Sequence, residues 1–250
     1  MPVLAVIPAR LGSTRLPQKP LQLLAGEPLV VRVAQCVLGM NLVDQIVVAT
    51  DADAIARVVS AAGFQVAMTA SDHPSGTDRV AEVAGHPVYH NCDLIVNIQG
   101  DEPFMSRDAV AGAMARVRRG DDIGTAAAPL REENAGDPHR VKVVTNLDGM
   151  ALYFSRARIP AWRDQADGGP GPEYWQHLGI YAYSREALRQ LASFGPTPLE
   201  LSERLEQLRA LEHGLRIGVT RLSEPAAPGI DTAEDLAKAE RHWHQIRESA

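Results

Sequence analysis

An α/β fold on a mostly parallel sheet is what this sequence predicts, and three observations carry that reading. Short, continuously apolar runs recur in the N-terminal part, helix-period patterns lie between them, and polar loops follow the runs. Val3–Ile7 (ended by Pro8), Gln45–Thr50 and Asp93–Ile98 are apolar without alternation, the pattern of strands buried on both faces. Between the first two, Leu29–Leu38 places Val30, Val33, Ala34 and Val37 on one helical face. Asp53–Ala62 begins at an aspartate suited to an N-cap. Strands alternating with helices predict a parallel sheet covered on both sides.

Beyond about residue 140 the pattern changes. Val141–Thr145 and Ala151–Ser155 flank Asp148-Gly149, a favoured hairpin turn pair. Gly168–Pro172 reads as an irregular loop, His177–Tyr183 as a further strand, and Leu199–His213 as an amphipathic helix. The expectation is a single domain over residues 1–250, with an antiparallel insertion at about 140–183.

The bulk properties set the class of partner. With 250 residues, 45% of them hydrophobic, the chain has enough apolar surface for a large core. A net charge of −6 argues against nucleic acid, so cations concentrated in one place suit a small anion instead. Cys36 and Cys92 sit in unrelated apolar contexts and read as thiols. No run is long enough to insert in a membrane, and no signal-peptide pattern opens the chain, so a cytoplasmic protein is expected.

In open parallel sheets, ligands bind at the carboxyl ends of the strands, which directs attention to Pro8–Lys19, Thr50–Asp51, Thr69–Arg79 and Gln99–Pro103. The first of these carries Arg10, Arg15 and Lys19 around Gly12-Ser13-Thr14. It matches neither the P-loop nor the dinucleotide fingerprint, yet its backbone N–H groups and cations suit a polyphosphate. Polyphosphates arrive with Mg²⁺, which takes one or two carboxylates, and Asp101 after a buried strand is a candidate ligand. Asp231 is another, although with Glu234 it also fits a helix-capping box. Backbone near Ser75 and Gly76 suits either a base edge or a capped helix start. His86 and His90 are separated by Pro87, and His242 and His244 face different sides of a helix, which disfavours zinc. No nucleophile-elbow pattern surrounds Ser13 or Ser75.

Taken in order, "IPARLGSTRLPQKPL", "VATD", "SDHPSGTDR", "NIQGDEP", "ALYFSRARIP", "HLGIYAY", "SERLEQLRALE" and "PGIDTAEDL" resemble the 3-deoxy-manno-octulosonate (Kdo) cytidylyltransferases over nearly the whole chain. The resemblance implies a Rossmann-like, three-layer α/β/α nucleotidyltransferase fold and transfer of a cytidylyl group from CTP to Kdo for lipopolysaccharide synthesis. It implies that Arg10, Ser13, Arg15 and Lys19 line the triphosphate, with Lys19, Arg15, Asp101 and Asp231 as the catalytic set. Ser75, Gly76, Arg79 and Gln99 would hold the cytidine and its phosphate, and Asp101 and Asp231 would hold Mg²⁺. Arg156, Arg163, His177, Tyr181, Glu206 and Gln207 would form the sugar-acid pocket. A homodimer assembled through the antiparallel insertion is also implied. The chain departs from the family at Gln18, where Gly is frequent, and at Ala233, where Pro is frequent. An 8-amino-Kdo or other sugar-acid enzyme shares these motifs, and a non-catalytic nucleotide or sugar-acid sensor keeps the fold; release of pyrophosphate separates the sensor from the enzyme.

Overall fold

The computed structural model describes residues 2–13, 15–163, 171–227 and 229–248. Most of the expected loop at Gly168–Pro172 lies outside them. The chain divides into two compact units, Met1–Met105 with Ala227–Ala250, and Ser106–Ala226.

The first unit runs β1 (Val3–Ala9), β2 (Leu23–Leu24), β3 (Glu27–Pro28), α1 (Leu29–Gly39), β4 (Gln45–Thr50), α2 (Asp53–Ala61), β5 (Gln65–Met68), α3 (Gly76–Gly85) and β6 (Leu94–Asn97). Its sheet has the order β6-β1-β4-β5, all parallel, with Ala9 opposite Thr50 and Val6 opposite Asn97. The expected apolar runs are buried because side chains on both pleats face protein: every residue of β1 except Pro8 is buried, as is all of β6. Helix α1 buries Val30, Val33, Ala34 and Val37, the stripe read from the sequence, together with Leu29 and Val31. Helix α2 differs slightly, since Ala52 occupies the N-cap and Asp53 falls inside the first turn, where its charge suits the helix dipole. Because β4 lies on one side of β1 and β6 on the other, the strand order reverses at β1. The loops after β1 and β6 therefore flank a switch point, the usual ligand position in such sheets.

The second unit contains α4 (Arg107–Arg118), β7 (Ile123–Leu130), β8 (Lys142–Thr145), β9 (Ala151–Ser155), β10 (Tyr174–Ser184), α5 (Arg185–Ser193), α6 (Pro198–Glu203), α7 (Gln207–Glu212) and β11 (Ile217–Arg221). β7 pairs parallel with β11 and antiparallel with β10, while β8 pairs antiparallel with β10 and β9. The hairpin read from Asp148-Gly149 forms, with Gly149 at φ +76°, a left-handed conformation that glycine adopts without a Cβ penalty. At Gly124, a Cβ would stand 1.9 Å from the Ala113 carbonyl oxygen, so only glycine lets β7 lie this close to α4. The last helix of the chain, α8 (Ala233–Glu248), returns to the first unit.

One expectation is corrected. Leu199–His213 is not one helix but two, broken where Arg204 adopts φ 54°, ψ 49° at the C-cap of α6. Helix α7 buries Leu208 and Ala210, but α6 buries only Glu200 and leaves Leu199 and Leu201 exposed, and the turn between them is fixed by polar contacts that periodicity does not register. Arg209 of α7 makes a two-pronged contact with Glu200 of α6, Nε to Oε2 at 2.8 Å and Nη2 to Oε1 at 2.5 Å, with both side chains buried. The Glu200 carboxylate also accepts from the Thr197 backbone N–H at 3.2 Å, tying the start of α6 to the same anion. Breaking one half of a buried ion pair leaves the other charge unpaired in low dielectric. Arg209→Met is therefore expected to lower the unfolding free energy by about 3–5 kcal/mol in urea titrations, whereas an exposed arginine such as Arg189 tolerates the same change.

Candidate functional site

Four of the residues picked from sequence meet in the first unit. Lys19 sits in a single 3-10 turn, Lys19–Leu21, entered through Gln18 at φ 51°, ψ 37°. Glycine adopts that left-handed conformation without a Cβ penalty, and glutamine holds it at a steric cost. The turn aims the Lys19 ammonium at two carboxylates: Nζ lies 2.5 Å from Asp101 Oδ2 and 2.9 Å from Asp231 Oδ1. Arg15 Nη2 reaches the same Asp231 oxygen at 3.1 Å. Burial alone would lower the affinity of Lys19 for its proton; Asp101 and then Asp231 outweigh it, so its pKa is raised and the ammonium stays charged.

Each carboxylate is delivered by local structure. Asp101 follows β6 through Gly100, where a Cβ would stand 3.0 Å from the Pro8 carbonyl oxygen; the close approach of the two loops favours glycine. Ile230 N–H donates to the Asp101 carbonyl at 3.0 Å, holding the segment before α8 against the loop after β6. The alternative reading of Asp231 as a helix cap is overturned, because the capping pair lies one residue later. Asp235 Oδ2 accepts from Thr232 N–H at 3.0 Å, and Asp235 N–H donates to Thr232 Oγ1 at 3.1 Å. With Thr232 as cap, the Asp231 side chain is free to meet the cations. Neighbouring Glu102, missed in the sequence, is pushed up to about 8 by burial and by the Asp101 and Asp231 charges. The doubled acid in "GDEP" was its only signal.

The remaining nucleotide candidates divide by role. Arg10 is exposed and Ser13 half-buried on the loop after β1, with Ser13 Oγ accepting from Leu16 N–H at 3.3 Å; Thr14 lies outside the described residues. Ser75 is the N-cap of α3, accepting from Asp78 N–H at 3.2 Å, and Gly76 is the first helical residue. Gln99 is half-buried and its carbonyl accepts from Glu102 N–H at 3.3 Å. Arg79 is buried, hydrogen-bonded to Thr69 Oγ1 and paired with Asp51 Oδ2 at 3.4 Å. Asp51 is a wall residue that the sequence reading reached only as part of a loop.

The sugar-acid candidates all lie in the second unit. His177 on β10 is buried between Phe154 and Tyr181, at ring-centroid distances of 4.9 and 5.3 Å. Its Nε2 lies 3.0 Å from Thr125 Oγ1, and that hydroxyl donates to the Ile180 carbonyl at 2.7 Å. With the hydroxyl proton so used, Oγ1 accepts from Nε2–H, and Nδ1 carries the lone pair. Burial pulls the His177 pKa down to about 3. Arg156 gives its guanidinium to three carbonyls: Nε to Glu203 at 2.8 Å, Nη1 to Pro138 at 3.0 Å and Nη2 to Arg204 at 3.3 Å. Glu203 in turn accepts from Ser155 Oγ at 2.6 Å and Arg156 N–H at 2.9 Å. Lys142, wholly buried, donates to the carbonyls of Asp137, Arg140 and Arg156 at 2.8, 2.6 and 2.6 Å. A lone lysine inside the apolar "VKVV" strand was a legible signal of such a role. Arg163 and Glu206 are exposed, Gln207 is buried and Tyr181 half-buried.

A family model described as cytidylyltransferase matches residues 4–217. Fold and site together define the chain as a nucleotidyltransferase. The 3-deoxy-manno-octulosonate cytidylyltransferase of Gemmatimonas aurantiaca is 55% identical over 245 residues, 97% of this chain and 95% of that protein. That of Methylococcus capsulatus is 45% identical, with 95% of each chain covered. A solved CMP:2-keto-3-deoxy-manno-octonic acid synthetase, complexed with CTP, superposes with a TM-score of 0.90 at 35% identity, covering 98% of this chain and 100% of its own. A 4-diphosphocytidyl-2C-methyl-D-erythritol synthase from Anaerococcus prevotii, 14% identical over 97% of this chain and 98% of its own, shares the fold at a TM-score of 0.61. The chain belongs to the 3-deoxy-manno-octulosonate cytidylyltransferase family.

The buried imidazole sets a pH dependence. Unfolded His177 takes a proton near pH 6.5, whereas the folded group resists it down to about 3. The unfolded state binds more protons in that window, so stability from this residue is complete above pH 6.5 and falls as the pH drops through it. At pH 5 the loss is expected to be about 2 kcal/mol. Urea midpoints measured at pH 7 and pH 5 should show a smaller drop for His177→Gln than for the unaltered chain.

Proposed function

We propose that the protein transfers the cytidylyl group of CTP to Kdo, forming CMP-Kdo and pyrophosphate. The observation that carries this reading is the convergence of Lys19, Arg15, Asp101 and Asp231 at the carboxyl end of a parallel sheet. The sugar's anomeric hydroxyl attacks the α-phosphorus in line, a new O–P bond forms, the α–β bridging bond breaks, and the hydroxyl proton is released to solvent. Such transfer depends on positioning and on neutralising negative charge rather than on a covalent intermediate. Lys19 and Arg15 are the cations that neutralise the departing pyrophosphate, and the exposed Arg10 extends the same cradle. Among the other expected nucleotide contacts, Ser75 and Gly76 present the N-terminal turn of α3, a backbone surface suited to a base or phosphate. In the sugar half, Lys142, Arg156 and Glu203 hold the backbone around residues 138, 156 and 204, beside which His177, Tyr181, Arg163, Glu206 and Gln207 are assigned to the sugar acid. Kdo rather than its 8-amino analogue is the acceptor favoured by the named relatives.

Mg²⁺ is the cofactor in this reading, and the donor set fits it. Two carboxylates already share one cation of hydrogen-bonding size, the Lys19 ammonium. Among the described residues no group of three His, Cys, Asp or Glu forms a cage. An ion held by Asp101 and Asp231 would complete its shell with phosphate oxygens, the habit of a hard, strongly hydrated dication. Bound there, it supplies charge neutralisation at the α-phosphate and lowers the pKa of the attacking hydroxyl.

No helix among the described residues is long and apolar enough to cross a membrane, and action in the cytoplasm, where CTP is made, suits this chemistry. A homodimer through the β8–β9 hairpin is also part of the reading: Leu147 and Leu152 of that hairpin are exposed, and β9 pairs only with β8 among the described strands.

Asp101→Asn is expected to keep the fold, by circular dichroism, while pyrophosphate release from CTP and Kdo falls at least about 100-fold; near-normal release counts against the carboxylate's role. Leu152→Lys is expected to shift sedimentation from the dimer toward the monomer, and an unaltered dimer would remove the hairpin from the interface.

A further inference from the structure

A cavity of about 510 Å³ opens at the carboxyl ends of β1 and β4, large enough for a nucleoside. Arg10 and Gly12 form one wall, and Asp51, Asp53 and Ser71 lie on the others. Asp51 differs from Asp53 in being braced from behind. Its Oδ2 pairs with Arg79 Nη2 at 3.4 Å, and the Arg79 side chain is only 5% exposed against 22% for Asp51. The cation is sealed in the protein and the anion faces the cavity. Arg79 is itself fixed by Thr69 Oγ1, and Thr69 N–H donates to the Thr50 carbonyl at 2.9 Å, so the brace is anchored to the end of β4. Arg79, which the family resemblance assigned to the cytidine and its phosphate, supports Asp51 in this structure.

We propose that Asp51 is the residue that selects the pyrimidine, its carboxylate accepting the exocyclic amine of cytosine. This rests on the cytidylyl-transfer reading. A cytosine ring presents an N4–H₂ donor where a uracil ring presents an O4 acceptor. Facing Asp51, uracil would set two acceptors against each other with no proton between them, and a site built to hydrogen-bond one partner rejects the other through its unpaired polar group. The Arg79 brace stops the carboxylate from turning away to relieve that clash.

Calorimetric titration with CTP, UTP and N4,N4-dimethyl-CTP in magnesium-containing buffer tests the assignment. The unaltered protein is expected to bind CTP about tenfold or more tighter than either analogue. Asp51→Asn, whose amide can turn its N–H₂ toward O4, is expected to close most of the gap between CTP and UTP, while Asp53→Asn in the same cavity leaves the gap open. An undiminished gap in Asp51→Asn overturns the proposal, and so does a gap closed equally by Asp53→Asn. Equal binding of CTP and the dimethyl analogue by the unaltered protein overturns it as well, without recourse to any variant. Discrimination between CTP and UTP with no pyrophosphate from CTP and Kdo would instead sink the transfer reading and leave Asp51 its role.

Discussion

One ammonium group between two carboxylates organises the first unit. Lys19 belongs to the loop after β1, Asp101 to the loop after β6, and Asp231 to the segment that precedes α8. Three pieces of chain far apart in sequence are brought to one charge, and Arg15 adds a second cation to the same Asp231 oxygen. Two carboxylates this close repel one another unless a cation stands between them. Lys19 therefore keeps the arrangement compact in the absence of substrate, and its retained proton follows from the acids it neutralises.

The second unit follows another logic. Two of its cations are spent on carbonyls rather than on carboxylates: Lys142 and Arg156 each donate to three of them. A cation buried this way compensates its desolvation with several charge-assisted hydrogen bonds, and it fixes irregular backbone that has no ladder partner. Glu203 and the Arg209–Glu200 pair extend the same support to the turn between α6 and α7. His177 sits beside this scaffold as a neutral ring with a defined tautomer, suited to a hydrogen bond and unsuited to carrying charge.

Legibility of the sequence varied with the range of the interaction. Strands Gln45–Thr50 and Ala151–Ser155, helix α1 and the Asp148-Gly149 turn were all readable, since period, apolar content and turn chemistry are local. The break in Leu199–His213 was not, because the turn is fixed by the buried Arg209–Glu200 pair, a polar contact that an apolar period does not register. The Asp231–Glu234 reading failed by one residue: Thr232 and Asp235 supply the cap, and a carboxylate at either position looks alike until its partners are known. Arg79 was picked for its place in "SGTDR", but whether an arginine there touches a ligand or braces an aspartate depends on burial, which one segment cannot report.

By itself the sequence determined the α/β class, the cationic loop after β1, the acids of "GDEP" and "GIDTAED", and the family to which their order belongs, since these reside in residue type and spacing. Only the tertiary structure decided that Lys19, Asp101 and Asp231 share one charge, that Asp51 faces a cavity with Arg79 behind it, and that Arg156 holds backbone. The reason is physical: a side chain's role is set by what it meets when distant segments close together, and by whether water remains to compete for it.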